Sequence, residues 1–167
     1  SGDEDLLRSG LAVAQPYLAA AADRIHAEWY WLASIEAELA ADRAGRAQEL
    51  AAAVIGSLPP TVLDEPTGSL YAMAIRIAAE RAEAARAVGD EDALATQRSI
   101  ADRLFVEWRR RRLAFPGPTP DPAAGDAVDA LCAAEAIRAS GAGDPSGWER
   151  AALAHERLGL AYPAAYA

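Results

Sequence analysis

The sequence predicts an all-α protein built from antiparallel helical hairpins, and three observations carry that reading. About a quarter of the 167 positions are alanine, the residue with the highest intrinsic helix propensity. There are only two Phe and a thin scatter of β-branched residues, too few for the strands of a sheet. Stretches with apolar residues every three to four positions are separated by Gly- and Pro-containing breaks, the pattern of amphipathic helices and their ends.

The elements follow from those breaks in order. Helices are expected at 3–14, 16–42, 45–57, 68–88, 91–114, 122–140 and 145–158, with a new one opening at Pro163. Within 16–42, Leu18, Ala22, Ile25, Trp29, Leu32 and Leu39 form one stripe by steps of three, four and then seven, which predicts a core face. The Pro-rich stretches 58–66 and 115–121 are expected loops, the second being the weak point of a single domain spanning 1–167. Val88-Gly89-Asp90-Glu91 predicts the tightest hairpin, with Gly89 ending one helix and Asp90 capping the next. Helix 91–114 repeats the core stripe with Leu94, Ala101, Leu104, Phe105 and Trp108. Asp121-Pro122 and Asp144-Pro145 each put an acid at the cap and a proline at the first helical position, where its missing N–H costs nothing. Trp148, Ala151, Ala152, His155 and Leu158 complete the last stripe before Gly159.

Charge and composition exclude several function classes. The net charge of −9 works against nucleic-acid binding by this segment, since phosphate attraction needs a positive field. No run approaches the roughly 20 apolar residues that span a bilayer, and Asp3-Glu4-Asp5 is unlike a basic and then apolar leader. One cysteine, Cys132, cannot form an internal disulfide, so the expected compartment is the cytoplasm. All 16 basic residues are arginine, which reads as the codon usage of a GC-rich bacterial genome.

The stretch Trp148–Ala167 holds Leu158-Gly159-x-x-Tyr162 followed by Pro-Ala-Ala-Tyr-Ala, and it resembles the tetratricopeptide signature, in which Leu-Gly and a Tyr three positions later are packing residues. With Ala-Glu-Ala-Ile-Arg at 134–138, it resembles more closely the helical-repeat region of large actinobacterial ATP-binding transcriptional regulators of the LuxR type. The resemblance implies an irregular tetratricopeptide-like array cut from a longer chain, with a nucleotide-binding domain before it and a DNA-binding helix-turn-helix after it. Two departures argue for irregularity: the helices at 16–42 and 91–114 are nearly twice the usual repeat length, and His155 stands where the signature has Trp. Neither the ATP site nor the DNA reader carries over. A phosphate-binding loop ends in Gly-Lys and this chain has no lysine, while Gly141 to Gly147 lacks both a preceding strand and the dinucleotide spacing.

Isolated chemistry-bearing residues do not assemble into a catalytic pattern. Asp23-x-x-His26 has the spacing of a metal-ligand pair, but a di-metal bundle needs that motif twice and there are only two histidines. No metal or other cofactor is expected. His155 shares the Trp148/Leu158 face and reads as a packing histidine, and Cys132, beside Val128, Leu131 and Ala136, reads as a buried neutral thiol. Glu36, Glu38, Glu80 and Glu83 read as a solvated, arginine-paired surface.

Two clusters are the candidate contact residues. Arg109, Arg110, Arg111 and Arg112 sit at a helix C-terminus, where the dipole favours cations; the functional alternative is an anchor for an acidic partner or another domain. In Trp29-Tyr30-Trp31 successive side chains turn by about 100°, so Trp31 cannot share the core face of Trp29. Trp31 and Tyr30 then face a second neighbouring helix or a groove for a ligand or partner. The leading expectation is a non-catalytic interaction or effector-sensing segment of a regulator, taking a protein partner, other domains of its own polypeptide or a small-molecule effector. The alternative is a free-standing bundle closing Trp29, Trp31, Phe105 and Trp108 around a small apolar ligand.

Overall fold

Glycine in the left-handed conformation ends three of the helices, at Gly89 (φ 72°), Gly141 (φ 85°) and Gly159 (φ 72°), each at a break expected from the sequence. The computed structural model describes residues 24–59, 65–114, 122–160 and 166. Among them the fold is all-α. The helices are α1 (Arg24–Ala40), α2 (Ala44–Ser57), α3 (Glu65–Val88), α4 (Glu91–Ala114), α5 (Pro122–Ser140) and α6 (Pro145–Arg157). The bounds at 91–114 and 122–140 coincide with those expected. The loop expected at 115–121 with its cap Asp121, and the helix opening at Pro163, lie outside the described residues.

Contacts group the chain into two compact units, Ser1–Leu58 and Pro59–Ala167, where the sequence predicts one domain. The weak point expected at 115–121 is itself outside the described residues, but α4 and α5 on either side of it pack together within the second unit.

In the first unit α1 packs on α2 through a three-residue connection that includes Asp42 at φ 57°. The helix α2 buries Ala47, Ala51, Val54 and Ile55, a repeat of four, three and one that keeps one face apolar. On α1 the buried face is Glu28, Leu32 and Ile35, which corrects the predicted stripe. Trp29 was expected in the core, yet it is 45% exposed. At 100° per residue it lies about 95° from the Glu28–Ile35 direction, whereas Trp31 lies about 65° from it. The steps of three and four that run through Trp29 and Leu32 leave out Ile35, which sets the true centre of the face. Leu18 and Ala22 lie outside the described residues, and the Ile25 side chain does too.

In the second unit α3 is the central helix. Leu70, Tyr71, Ile75, Ile77, Ala78, Ala79 and Ala82 are buried around its circumference, because it packs on both α4 and α5. Small residues set how closely these helices approach. A Cβ on Gly68 would stand 3.1 Å from both the Trp108 ring and a Val128 methyl, so glycine there lets α3 sit against α4 and α5. The α3–α4 hairpin closes as expected: the Asp90 amide donates to Ala85 (3.0 Å), and Asp90 Oδ1 accepts from the Ala93 amide (3.0 Å). Helix α4 buries Leu94, Gln97, Ala101 and Trp108, matching three of its five predicted core residues, with Leu104 and Phe105 half-buried. Helix α6 packs on α5 and buries Gly147, Ala151 and His155. His155 is 4% exposed with Nδ1 2.8 Å from the Ala151 carbonyl, the packing role foreseen for it.

Candidate interaction site

Charge gathers where α3 and α5 face each other. On α3, Arg76, Glu80, Glu83 and Arg86 recur at steps of four, three and three, which puts them along one side of the helix. On α5, Glu135 and Arg138 are one turn apart, and Glu135 is wholly buried. Arg138 joins the two helices: Nε and Nη2 donate to the two oxygens of Glu83 (2.9 and 2.6 Å), while Nη1 donates to Glu135 Oε2 (3.2 Å). The other Glu135 oxygen accepts from the Tyr166 hydroxyl at 2.5 Å. Both oxygens of the buried carboxylate therefore have donors, the condition for keeping a charge away from water.

The electrostatics follow from this geometry. Burial pushes the Glu135 carboxyl above its ordinary range, opposed by the Tyr166 hydroxyl and by Arg138. The Arg138 hydrogen bonds hold Glu83 below its ordinary value. Burial, and then the neighbouring Glu135, push the Tyr166 hydroxyl upward, so it stays a donor. The hydrogen bonds to Glu83 raise Arg138 and keep it charged.

Beside this network lies an open cleft of about 850 Å³, walled by Glu83, Arg86, Arg138, Trp148 and Tyr166 with the Gly141–Gly143 turn at one end. Gly141 is needed there twice over. Its φ of 85° disfavours a side chain, and a Cβ would fall 2.8 Å from the Arg86 guanidinium, which lies on the turn and donates to the Ala139 carbonyl at 3.0 Å. Trp148 meets Tyr166 edge to face at 6.0 Å. Such a surface can hold a ligand by fixed charges and aromatic faces.

The contact residues expected from the sequence are distributed differently. Tyr30 and Trp31 are half-buried in the first unit and touch each other edge to face at 5.3 Å. The four arginines part company. Arg109 is exposed with its guanidinium 5.9 Å from the Phe105 ring centre, and Arg110 is exposed. Arg111 donates to the Pro59 carbonyl at 2.9 Å and lies 5.6 Å from the centre of the Tyr71 ring. Arg112 crosses over Gly125 to pair with Asp126 (3.3 Å) and Asp129. Asp129 also accepts from the Trp108 indole N–H at 2.6 Å, and Trp108 packs on Tyr71 at 5.6 Å. Trp108 is thus filled in by protein, and Trp29 and Trp31 belong to the other unit from Phe105 and Trp108.

Cys132 is buried, and burial raises its thiol well above the ordinary value, so it is neutral. The Asp23 and His26 side chains lie outside the described residues, and no group of three metal-ligating side chains occurs among those described. No described helix is long and apolar enough to cross a membrane.

The sequence reading missed Glu135, Arg138, Arg76, Arg86 and Tyr166. One signal was available: Glu135 follows Cys132 by three residues in Cys-Ala-Ala-Glu-Ala-Ile, an acid on an otherwise apolar face. No protein-family model, curated protein or solved structure matches the chain. The likeness to LuxR-type regulators therefore stands on the residues of 134–138 and 148–167 alone, and of these Tyr162 lies outside the described residues.

Proposed function

We propose that this chain is a non-catalytic, cytoplasmic helical segment of a LuxR-type transcriptional regulator, with tetratricopeptide-like stacked hairpins that bind an effector, a protein partner or another domain of the same polypeptide. The observation that carries the reading is the open cleft beside α3, α5 and α6, whose charges are already fixed by Arg138 between two carboxylates and whose wall carries Trp148 and Tyr166. Those charges are already placed by the fold, so ordering them adds little to the cost of binding. Stacking of hairpins is supported by the neighbour pattern: α3 packs on α4 and α5, and α5 on α6. Occupation of the cleft would bias how the hairpins stack and so alter the segments joined to them. Exposed Arg109 and Arg110, with Tyr30 and Trp31, are the second set of contact residues.

The reading is tested in the full-length regulator with an effector-dependent transcription reporter. Arg86→Ala and Trp148→Ala are expected to abolish the effector response while the basal level stays. An unchanged dose-response curve in both variants would remove the cleft as the site.

A further inference from the structure

Tyr166 lies beyond α6, yet four groups from three helices hold its side chain, two at the ring and two at the hydroxyl. The Arg76 guanidinium of α3 lies 4.4 Å from the ring centre, and Trp148 of α6 meets the ring edge to face at 6.0 Å. On α5, Glu135 Oε1 accepts a hydrogen bond from the hydroxyl at 2.5 Å and Arg138 Nη1 donates to the hydroxyl oxygen at 3.1 Å. A cation over the face, an aromatic edge, an anionic acceptor for the O–H and a donor to its oxygen are together the complement of a phenol. Each of these groups has a support of its own. Arg76 is tied to Glu80 (2.8 Å), Arg138 to Glu83, Glu135 to Arg138, and Trp148 is carried by α6.

We infer that these groups form a phenol-binding socket at the end of the cleft, that Tyr166 is its internal occupant, and that a phenol-bearing ligand binds by displacing Tyr166. The inference rests on the cleft being the interaction site and names the chemistry it takes. Selectivity comes from Glu135. A ring without a hydroxyl would bury that carboxylate with one oxygen lacking its donor, a penalty of ~10-fold or more in affinity. Occupation by Tyr166 weakens any outside ligand in proportion to the fraction of time the socket is filled.

The test uses the whole 167-residue chain carrying Tyr166→Ala, with p-cresol as the probe and toluene as its hydroxyl-free counterpart. p-Cresol is expected to raise the melting midpoint of the variant saturably and to bind ~10-fold or more tightly than toluene, with Trp148→Phe removing the accompanying fluorescence change. Tyr166→Phe, whose ring still fills the socket, is expected to bind p-cresol more weakly than Tyr166→Ala. In the unmutated chain, where folding is not in question, high p-cresol is expected to shift the Tyr166 ring resonances as the ring leaves Trp148. N-acetyltyrosinamide separates two sources of the same group: tighter binding than p-cresol points to a tyrosine of a peptide, weaker binding to a free phenol. The inference is overturned if p-cresol leaves the Tyr166 resonances unmoved, if toluene binds as well, or if Tyr166→Ala and Tyr166→Phe bind p-cresol equally. Failure would leave the Arg86→Ala reporter test standing, because a cleft ligand of other chemistry would still depend on that arginine.

Discussion

Arg109 to Arg112 are contiguous in sequence and scattered in space, whereas Arg76, Glu83, Glu135, Arg138 and Tyr166 are scattered in sequence and gathered in space. Both sets lie in the second unit, the first wholly on α4 and the second on α3, on α5 and beyond α6. The difference comes from the 100° turn between successive helix residues, which sends four neighbouring arginines in four directions. Two of them go to carbonyl and carboxylate partners within the unit, and two go to the surface. Residues three or four apart share a face, and packing α3 on α5 brings two such faces together. A run of like charge in a helix is thus a poor guide to a site, and a lone charge on an apolar face is a better one.

The comparison can be broken most directly at Arg138. Removing it leaves Glu135 buried without its cation and frees Glu83, so Arg138→Ala is expected to cost about 3 kcal/mol in urea unfolding. A loss within the range of ordinary surface substitutions would show that the gathered set is no more connected than the contiguous one. The contiguous set can then be split against itself. Arg112→Ala loses Asp126 and Asp129 and is expected to cost about 1–2 kcal/mol, while Arg110→Ala leaves the urea midpoint where it was. Equal effects would mean that the four arginines act as one patch.

A smaller effect is expected from pH. The Glu135 carboxyl titrates above its ordinary value of 4.5 in the folded chain, so the native state holds that proton more tightly than the unfolded one. Its contribution is therefore most favourable below the unfolded value and declines as pH rises towards the folded value. Glu83, lowered from 4.5, behaves oppositely, with stability present above the unfolded value and lost as pH falls through the folded one. Unfolding of the unmutated chain and of Glu135→Gln, compared at about pH 4 and about pH 7, isolates the first. The difference is expected to move against the unmutated chain as pH rises, and movement the other way would show that Arg138 and Tyr166 outweigh burial.

Helix ends and hairpins were the most legible part of the fold in the sequence. Gly89 with Asp90, and Gly141 with Pro145, are local signals that act within a turn or two of themselves, and tertiary packing had nothing to override. Faces were less legible. On α4 the Leu94, Ala101 and Trp108 stripe is buried, because that helix has one packed side. On α1 the stripe drawn through Trp29 and not Ile35 failed, since steps of three and four define a helix face without saying which of two adjoining faces is packed. The site was least legible. It needs α3 and α5 in register, and residues 76 and 166 are brought together by packing that no local pattern encodes. Only Glu135 among alanines betrayed it.

Cys132 sits with no exposed surface at the middle of α5, and it is the one thiol in the chain. A thiol reagent reaches the buried sulfur only when the second unit opens, and burial keeps the thiol neutral until then. The labelling rate at that sulfur is therefore a clock for opening, wired by nature into the helix that also carries Glu135 and Arg138. A ligand that enters the cleft and steadies α5 would slow the clock, and so would register at the chain's own cysteine with no probe site engineered into it.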